Sequence, residues 1–287
     1  HGHQRVVVGN QHPGVLHQFA VGHDVAKGGV LHHNDQLRHQ RRNDVAKGLR
    51  KDDDEENLNQ RYYEQIKAAI SADEDTLTFI LVADTQRRYD ETQDFVDKVN
   101  SMPEIDFVLH GGDLTDFGIQ QEYHWQHNIL EKMRVPYITV IGNHDCLGNG
   151  VKVYEHMYGP QDFVYDIGRS RFVFMNTNSL EFDEDPVPRL PFLANAFGDT
   201  SEYDNAFILA HVPPYDNEFD DSKEQDFAAL LRGKKVRYAL FGHQHNYKEQ
   251  QPYNDGITYL ATDDIADRNF IKITLQGTTV NFERIYF

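Results

Sequence analysis

The chain has 287 residues, of which 39% are hydrophobic and 26% are charged, so it can form one large α/β domain with a sizeable core or two small domains. Its formal net charge is −18, and residues 51–287 carry 21 Lys/Arg against 43 Asp/Glu, a net charge of −22. Such an acidic chain lacks the basic surface that nucleic-acid binding requires, so we do not expect nucleic acid as a partner.

The sequence contains no membrane-spanning segment and no recognisable secretory signal. No run approaches the roughly 18 apolar residues of a transmembrane helix. We expect a soluble protein, cytoplasmic or exported, and the choice stays open because the chain begins at His1 rather than Met. The single cysteine, Cys146, excludes an intramolecular disulfide and leaves the redox compartment open. The sequence does not predict the oligomeric state.

The N-terminal part of the chain differs in composition from the rest. Eight of the sixteen histidines lie in residues 1–50, which are rich in Gln, Asn and Gly. The acidic run at residues 52–56 is typical of a solvated spacer. We therefore predict a low-complexity, disordered segment over residues 1–70 and one folded domain over residues 71–287, in which no internal boundary is visible. A role of the N-terminal histidines in metal scavenging is the alternative.

From about residue 76, short apolar runs of strand length alternate with helical patterns. Five continuous runs predict buried strands at residues 78–82, 106–110, 137–141, 206–209 and 236–241. Between them, apolar residues at helical spacing predict helices that pack on the core. Those faces are Phe95/Val99/Met102, Trp125/Ile129/Met133 and Phe227/Leu230/Leu231.

Turn signals and alternation predict further strands. Residues 163–167 and 171–176 flank a Gly-Arg-Ser turn and predict a hairpin, and residues 257–260, 270–275 and 279–285 predict antiparallel strands at the end of the chain. Strand and helix alternation favours a largely parallel sheet covered by helices. The extra strands would complete a second sheet, so we predict an α/β fold of two packed mixed β-sheets flanked by helices.

Each of the five predicted buried strands is followed by a short cluster of Asp, Asn, Gln or His. The clusters are DTQ at 84–86, GGDLTD at 111–116, GNHD at 142–145, AHVPP at 210–214 and GHQH at 242–245. Because ligands bind beyond the carboxyl ends of parallel strands, these donors should meet at one place. Mixed oxygen and imidazole donors suit two divalent cations, and Asp113, after two glycines that permit a tight turn, is the natural shared carboxylate.

The order D-x-[H/Q], G-D-x-x-D, G-N-H-D, H and G-H-x-H, from about residue 76 to residue 250, resembles the calcineurin-like metallophosphoesterase superfamily. The stretch at residues 112–118, with Glu122 and Tyr123 nearby, is more narrowly similar to its class III phosphodiesterase branch. The resemblance implies a metallophosphoesterase-type sandwich over residues 71–287. It also implies a hydrolase in which a metal-bridging hydroxide attacks the phosphorus of a small phosphoester.

The resemblance also implies roles for individual residues. One metal would be held by Asp84, Gln86, Asp113 and His245, and the other by Asp113, Asn143, His211 and His243. His144 would not be a ligand but would donate a proton or hydrogen bond to the leaving group, with Asp116 or Asp145 holding its ring.

Gln86 departs from the commoner pattern, because many family members have His at this position. A branch resembling manganese-dependent ADP-ribose and CDP-alcohol diphosphatases has Gln there. An amide oxygen is a harder and weaker donor than imidazole, so we expect a looser first site that favours Mn²⁺ or Mg²⁺. Two divalent ions are expected, with Mn²⁺ favoured over Fe, Zn or Mg.

Several alternatives stay open at this point. A phosphomonoesterase, a nucleoside diphosphate-type diphosphatase or a nuclease would use the same fold, and a metal-binding or scaffold protein without turnover is the alternative from another class. Arg87 and Arg88 are candidates for phosphate contact, and Tyr215 for contact with the substrate. We expect His110 in the core, His124 and His127 on the surface, and Cys146 not to be a nucleophile.

Overall fold

The computed structural model describes residues 55–182 and 184–287, so the predictions for residues 1–54 lie outside the described residues. The helices are α1 (Leu58–Ala69), α2 (Tyr89–Asn100), α3 (Gln120–Leu130), α4 (Gly150–Met157), α5 (Leu190–Ala196) and α6 (Asp221–Leu231). The strands are β1 (Thr76–Val82), β2 (Phe107–His110), β3 (Tyr137–Thr139), β4 (Phe163–Ile167), β5 (Ser170–Phe174), β6 (Asn205–Leu209), β7 (Val236–Phe241), β8 (Lys248–Gln250), β9 (Thr258–Ala261), β10 (Asn269–Gln276) and β11 (Thr279–Tyr286).

These strands form two mixed sheets, which confirms the predicted fold class. The first has the order β11-β10-β1-β2-β3, with β1, β2 and β3 parallel and β10 antiparallel to both of its neighbours. The second has the order β4-β5-β6-β7-β9-β8, with a parallel centre and antiparallel edges. Of the antiparallel strands predicted at the end of the chain, β10 and β11 pair with each other, whereas β9 lies in the second sheet, antiparallel to β8 and parallel to β7. Strand β8 was not predicted from the sequence, because it has only three residues and they are polar and largely exposed.

The alternation of side chains along β1 explains why two sheets and two helical layers pack together. Phe79 and Leu81 point into the layer between the sheets, whereas Ile80 and Val82 point toward helices α2 to α4. Between the sheets, Phe79 meets Phe172 and Phe207 edge-on, with ring centroids 5.5 and 5.4 Å apart. A third cluster packs the outer face of the second sheet against α5 and α6. Strands packed on both faces are held firmly, so the loops that follow their carboxyl ends start from fixed positions.

Helix α1 packs on the edge strand β3 through a side-chain amide. Asn59 Nδ2 donates to the carbonyl oxygen of Thr139 at 2.9 Å, and Asn59 Oδ1 accepts from the Thr139 amide at 2.9 Å. One asparagine thus supplies the donor and acceptor that a neighbouring strand would supply. Composition placed residues 58–69 in the disordered segment; instead they form a helix, because Leu58 and Ile66 bury one face of it. The division of the chain at residue 70 stays a prediction.

Two histidines of α3 correct a second expectation. His124 and His127 are buried rather than at the surface. His124 Nδ1 lies 2.5 Å from the Glu55 carboxylate, and His127 Nδ1 lies 2.8 Å from the hydroxyl of Tyr137. Helical spacing alone could not reveal these polar partners, because Glu55 precedes α1 and Tyr137 lies in strand β3. Among residues 55–182 and 184–287, none of the helices is long and apolar enough to cross a bilayer.

Candidate metal centre and active site

The loops after β1 and β2 are joined by main-chain hydrogen bonds. The amide of Asp84 donates to the carbonyl oxygen of Gly112 at 3.0 Å, and the amides of Thr85 and Gln86 donate to that of Asp113 at 3.0 and 3.1 Å. Four cluster residues adopt the left-handed backbone conformation, with φ values of 55°, 58°, 66° and 49° for Asp84, Asp113, His243 and His245. Non-glycine residues adopt it at an energetic cost, and such residues concentrate at functional sites.

Three cluster residues meet in the buried centre of the site. One ligand atom from each of Asp84, Asp113 and His211 lies within 4.8 Å of the other two, in a group that could hold a metal ion. Burial raises the pKa of Asp84 and also opposes ionisation of Asp113, but the charges and hydrogen bonds of His211 and His144 together lower the pKa of Asp113. Burial likewise opposes the charged form of His211, yet Asp113 and Asp84 raise its pKa to about 10. The pocket therefore favours a positive charge at its centre.

The clusters after β3, β6 and β7 converge beside this group. Asn143 Oδ1 lies 2.9 Å from His211 Nε2 and 3.3 Å from His243 Nδ1. The structure thus brings one amide oxygen and two imidazole nitrogens to one place, as the sequence predicted. Only glycine fits before Asn143, because a Cβ on Gly142 would collide with the carboxylate and the main-chain nitrogen of Asp113.

The remaining two candidates, Gln86 and His245, lie beside Asp113 and Asp84 respectively. Gln86 Nε2 donates to Asp113 Oδ2 at 3.3 Å, whereas Gln86 Oε1 is buried without a hydrogen-bond partner in the described structure. His245 Nε2 lies 3.4 Å from Asp84 Oδ1. A buried oxygen without a partner costs about 1–3 kcal/mol, and a cation would remove that cost. This donor set therefore fits a hard divalent cation.

The second ring nitrogen of each of the three histidines faces an oxygen acceptor, at distances that increase from His211 to His245. His211 Nδ1 lies 2.7 Å from the carbonyl oxygen of Gly111, which can only accept, so this nitrogen carries a proton. His243 Nε2 lies 3.5 Å from Asp216 and 3.6 Å from Glu218, and His245 Nδ1 lies 3.9 Å from Asp264. These three carboxylates were not predicted from the sequence. The only sequence signal was that two of them, Asp216 and Glu218, follow His211 by a few residues.

His144 stands apart from the donor group. Its Nδ1 lies 3.0 Å from the main-chain carbonyl oxygen of Asp116 and 3.7 Å from the Asp116 carboxylate, and its side chain is 34% exposed. Asp145 instead accepts from the amides of Thr115 and Gly142 at 2.8 and 3.0 Å. Of the two carboxylates considered for holding the ring, Asp116 is therefore the one beside it, and Asp145 joins the loops after β2 and β3.

Asp145 itself is an unusual acid. Its carboxyl is fully buried, and burial together with the nearby Asp113 raises its pKa to about 7. Its neighbour Cys146 is also buried, and burial raises the pKa of the thiol further above its usual range. The thiol donates to the carbonyl oxygen of Gly142. A buried, protonated thiol is inert, which supports the prediction that Cys146 is not a nucleophile.

The other candidates differ in position. Arg87 Nε lies 3.1 Å from Asp116 Oδ1, and its side chain is 66% exposed. Arg88 directly precedes α2 and is also exposed. His110 is buried with Nε2 2.9 Å from the Thr85 hydroxyl, and burial lowers its pKa to about 3, so it is a core residue as predicted. Tyr215 packs edge-on against Tyr259.

The fold and the site define a metal-dependent phosphoester hydrolase. The sequence profile described as calcineurin-like phosphoesterase matches residues 77–247, and the chain belongs to this family. The match includes all of the predicted metal ligands and His144.

Relatives with assigned activities share limited identity. A 3',5'-cyclic-nucleotide phosphodiesterase of Nostoc sp. is 22% identical over 219 residues, which cover 64% of this chain and 78% of that protein. A probable cyclic nucleotide phosphodiesterase of Rhodopseudomonas palustris is 25% identical over 162 residues, which cover 50% of this chain and 58% of that protein.

Solved structures share the fold at lower identity. A purple acid phosphatase from yellow lupin seeds matches with a TM-score of 0.62 and 16% identity, over 75% of this chain and 52% of that one. A Plasmodium protein described as the anchor in the inner membrane complex matches with a TM-score of 0.56 and 13% identity, over 74% and 85% of the two chains. The chain thus spans about half the length of the lupin phosphatase.

Proposed function

We propose that this protein is a binuclear phosphodiesterase that favours manganese and hydrolyses small phosphodiesters, including cyclic nucleotides. The observation that carries the proposal is the meeting of Asp84, Asp113 and His211 within 4.8 Å, beside Gln86 Oε1, which is buried without a partner among the described residues. The two relatives named as cyclic nucleotide phosphodiesterases support the diester class.

Two ligand sets would share Asp113. The first, here the Gln86 half, comprises Asp84, Gln86 and His245 with Asp113. The second, here the Asn143 half, comprises Asn143, His211 and His243 with Asp113. Bound divalent cations would polarise a phosphoryl oxygen and make water a stronger nucleophile at neutral pH. Asp113 contacts members of both halves, since its carboxylate lies near Gln86 Nε2 and His211 Nε2.

His144 would act on the leaving group. Because its Nδ1 donates to the Asp116 carbonyl oxygen, its Nε2 is the ring nitrogen left for the substrate. In the imidazolium form, Nε2 can give its proton to the departing alkoxide, and general acid catalysis of this kind contributes roughly 10²–10⁴-fold. The amide of His144 also donates to Asp113 Oδ1 at 3.0 Å, so the acid is held directly beside the shared carboxylate.

Arg87 would bind the substrate on the side of the site where Asp116 lies. Its Nε lies 3.1 Å from Asp116 Oδ1, the same oxygen that lies 3.7 Å from His144 Nδ1, and its side chain is largely exposed. The guanidinium carries five N–H donors, so further donors stay available for a phosphoryl oxygen. We therefore assign Arg87, rather than Arg88, to phosphate contact.

A nucleoside diphosphate-type diphosphatase is the second candidate, and the presence of Gln86 favours it. Metal-free protein reconstituted with Mn²⁺, Mg²⁺, Zn²⁺ or Fe²⁺ should be assayed in parallel on a phosphomonoester, a 3',5'-cyclic nucleotide and a nucleoside diphosphate-type substrate. We expect the cyclic diester and Mn²⁺ to give the highest kcat/KM. A preference for the diphosphate would select the second candidate, and absence of turnover with every metal would overturn both. Asp113→Asn serves as the inactive control.

A further inference from the structure

We infer that Asp216 and Glu218 are positioning residues for His243, and that they make the Asn143 half the tight half of the metal centre while the Gln86 half exchanges its ion. The inference rests on the proposed function, because it requires that the two ligand sets bind metal. It concerns residues outside both sets.

The His243 ring lies between the side-chain amide of Asn143 and two carboxylates. Its Nδ1 faces Asn143 Oδ1 at 3.3 Å, and its Nε2 faces the carboxylates of Asp216 and Glu218 at 3.5 and 3.6 Å. Because Asn143 Oδ1 can only accept, Nδ1 donates to it in the metal-free protein. If a cation took this position, the carboxylates beside Nε2 would favour the tautomer with the proton on Nε2, which frees the Nδ1 lone pair for the ion. Carboxylates in this position raise the basicity of a ligating imidazole, and their loss typically weakens metal binding 10- to 100-fold.

Three hydrogen bonds hold Asp216 in place. Its Oδ1 accepts from the amide of Glu218 at 2.9 Å, and its own amide donates to the carbonyl oxygen of Pro213 at 3.0 Å. Its Oδ2 accepts from the side-chain amide of Gln244. One carboxylate therefore joins the loop after His211 to the loop that carries His243. Both imidazoles of the Asn143 half are held before any ion arrives, and such preorganisation favours tight binding.

The Gln86 half is built differently. His245 is 47% exposed, and its Nδ1 lies 3.9 Å from the carboxylate of Asp264, farther than the 3.5 and 3.6 Å that separate His243 Nε2 from its two carboxylates. Gln86 contributes a neutral amide oxygen that has no partner in the described structure. Asp84 does add a carboxylate to this half, which suits hard ions such as Mn²⁺ and Mg²⁺.

The donor atoms then decide which ion each half retains. The Asn143 half offers two nitrogens and two oxygens, whereas the Gln86 half offers one nitrogen and three oxygens. Nitrogen-rich sites prefer Zn²⁺ and Fe²⁺, which bind more tightly than Mn²⁺ in the general affinity order. We therefore expect one firmly held ion in the Asn143 half and one readily exchanged ion in the Gln86 half.

The test is calorimetric titration of metal-free protein with Zn²⁺, compared among wild type, an Asp216→Asn/Glu218→Gln double variant and an Asp264→Asn control. We expect two binding events in the wild type. The double variant should weaken the tighter event 10- to 100-fold, and Asp264→Asn should leave that event unchanged. Thermal unfolding of the metal-free forms at equal Tm would show that the effect is not a general loss of structure.

The outcomes separate the inference from the function on which it rests. If the wild type bound no ion, the proposed metal centre itself would be refuted. If it bound two ions and the double variant bound them equally well, only the role of Asp216 and Glu218 would be refuted. Should the double variant unfold when metal-free, the single changes Asp216→Asn and Glu218→Gln are titrated instead, and each must still weaken the tighter event.

Discussion

The Nδ1 atom of His144 lies 3.0 Å from the main-chain carbonyl oxygen of Asp116, closer than the 3.7 Å that separates it from the Asp116 carboxylate. A main-chain carbonyl only accepts, so Nδ1 carries a proton and the ring orientation is fixed by the backbone. Because Leu114 and Thr115 are themselves held by the Asp145 carboxylate, this carbonyl belongs to a rigid loop. The candidate acid is therefore oriented by a group that side-chain substitution does not remove.

Replacing His144 with Ala should lower kcat by roughly 10²–10⁴-fold, because the leaving alkoxide loses its proton donor. Metal content should stay that of the wild type, since the His144 side chain lies outside both ligand sets. Asp116→Asn should cost much less, because the carbonyl oxygen that holds the ring is retained. Steady-state kinetics with metal analysis of the same samples test this. An equal loss of metal and activity in His144→Ala would place His144 among the ligands.

Replacing Arg87 with Gln should raise KM for the phosphodiester about tenfold, with a smaller change in kcat. A charge-assisted hydrogen bond to phosphate contributes about 1.5 kcal/mol or more, and about 1.4 kcal/mol corresponds to a factor of ten. Arg88→Gln is the matched control, since Arg88 is the adjacent exposed arginine and precedes helix α2. Similar KM values for the two variants would mean that Arg87 does not touch the substrate.

The candidate ligands that follow the strands were predictable from the sequence, whereas the carboxylates that contact those ligands were not. Continuous apolar runs identify buried strands, and parallel strands necessarily bring the residues after their carboxyl ends to one edge, so Asp84, Asn143 and His211 could be placed together. By contrast, Asp216 and Glu218 lie in a loop without periodicity, and their contact with His243 depends on how two loops pack. The choice between Asp116 and Asp145 likewise depends on loop packing, because Asp145 is turned toward the amides of the loop after β2.

The buried pair of His211 and Asp113 should make the metal-free protein less stable at alkaline pH. Burial disfavours the charged imidazolium, but Asp113 and Asp84 raise the pKa of His211 from 6.5 to about 10. In the unfolded chain this pKa returns to about 6.5. The stabilisation is therefore complete below pH 6.5 and is lost as the pH rises through about 10.

Urea unfolding of chelator-treated protein between pH 7 and 9.5 measures this loss, which is at most about 1.4 kcal/mol per pH unit for one proton. His211→Asn should remove this part of the pH dependence, because the titrating group is gone. Metal-loaded wild type should also lose less stability, since a bound cation replaces the proton. Metal-free wild type of constant stability over this range would contradict the predicted protonation of His211.

Replacing Asn59 with Ala should destabilise the protein by about 1–3 kcal/mol, because the buried amide of Thr139 loses its partner. The carbonyl oxygen of Thr139 keeps a second donor, the hydroxyl of Tyr154 at 2.8 Å, so the loss is limited to one unsatisfied group. Thermal unfolding should show a Tm lower by several degrees, whereas Gln65→Ala, an exposed change on the same helix, should leave the Tm unchanged.

Measuring the metal affinity of the Asn59→Ala variant tests whether helix α1 also supports the metal centre. Strand β3 leads into the loop that carries Asn143, but that loop is anchored separately, because its Asp145 carboxylate accepts from the amides of Leu114 and Thr115 in the loop after β2. We therefore expect the variant to bind metal as the wild type does at temperatures where it is folded. A variant that loses metal in proportion to its stability would show that helix α1 supports the site through β3, and that residues 58–69 belong functionally to the catalytic domain.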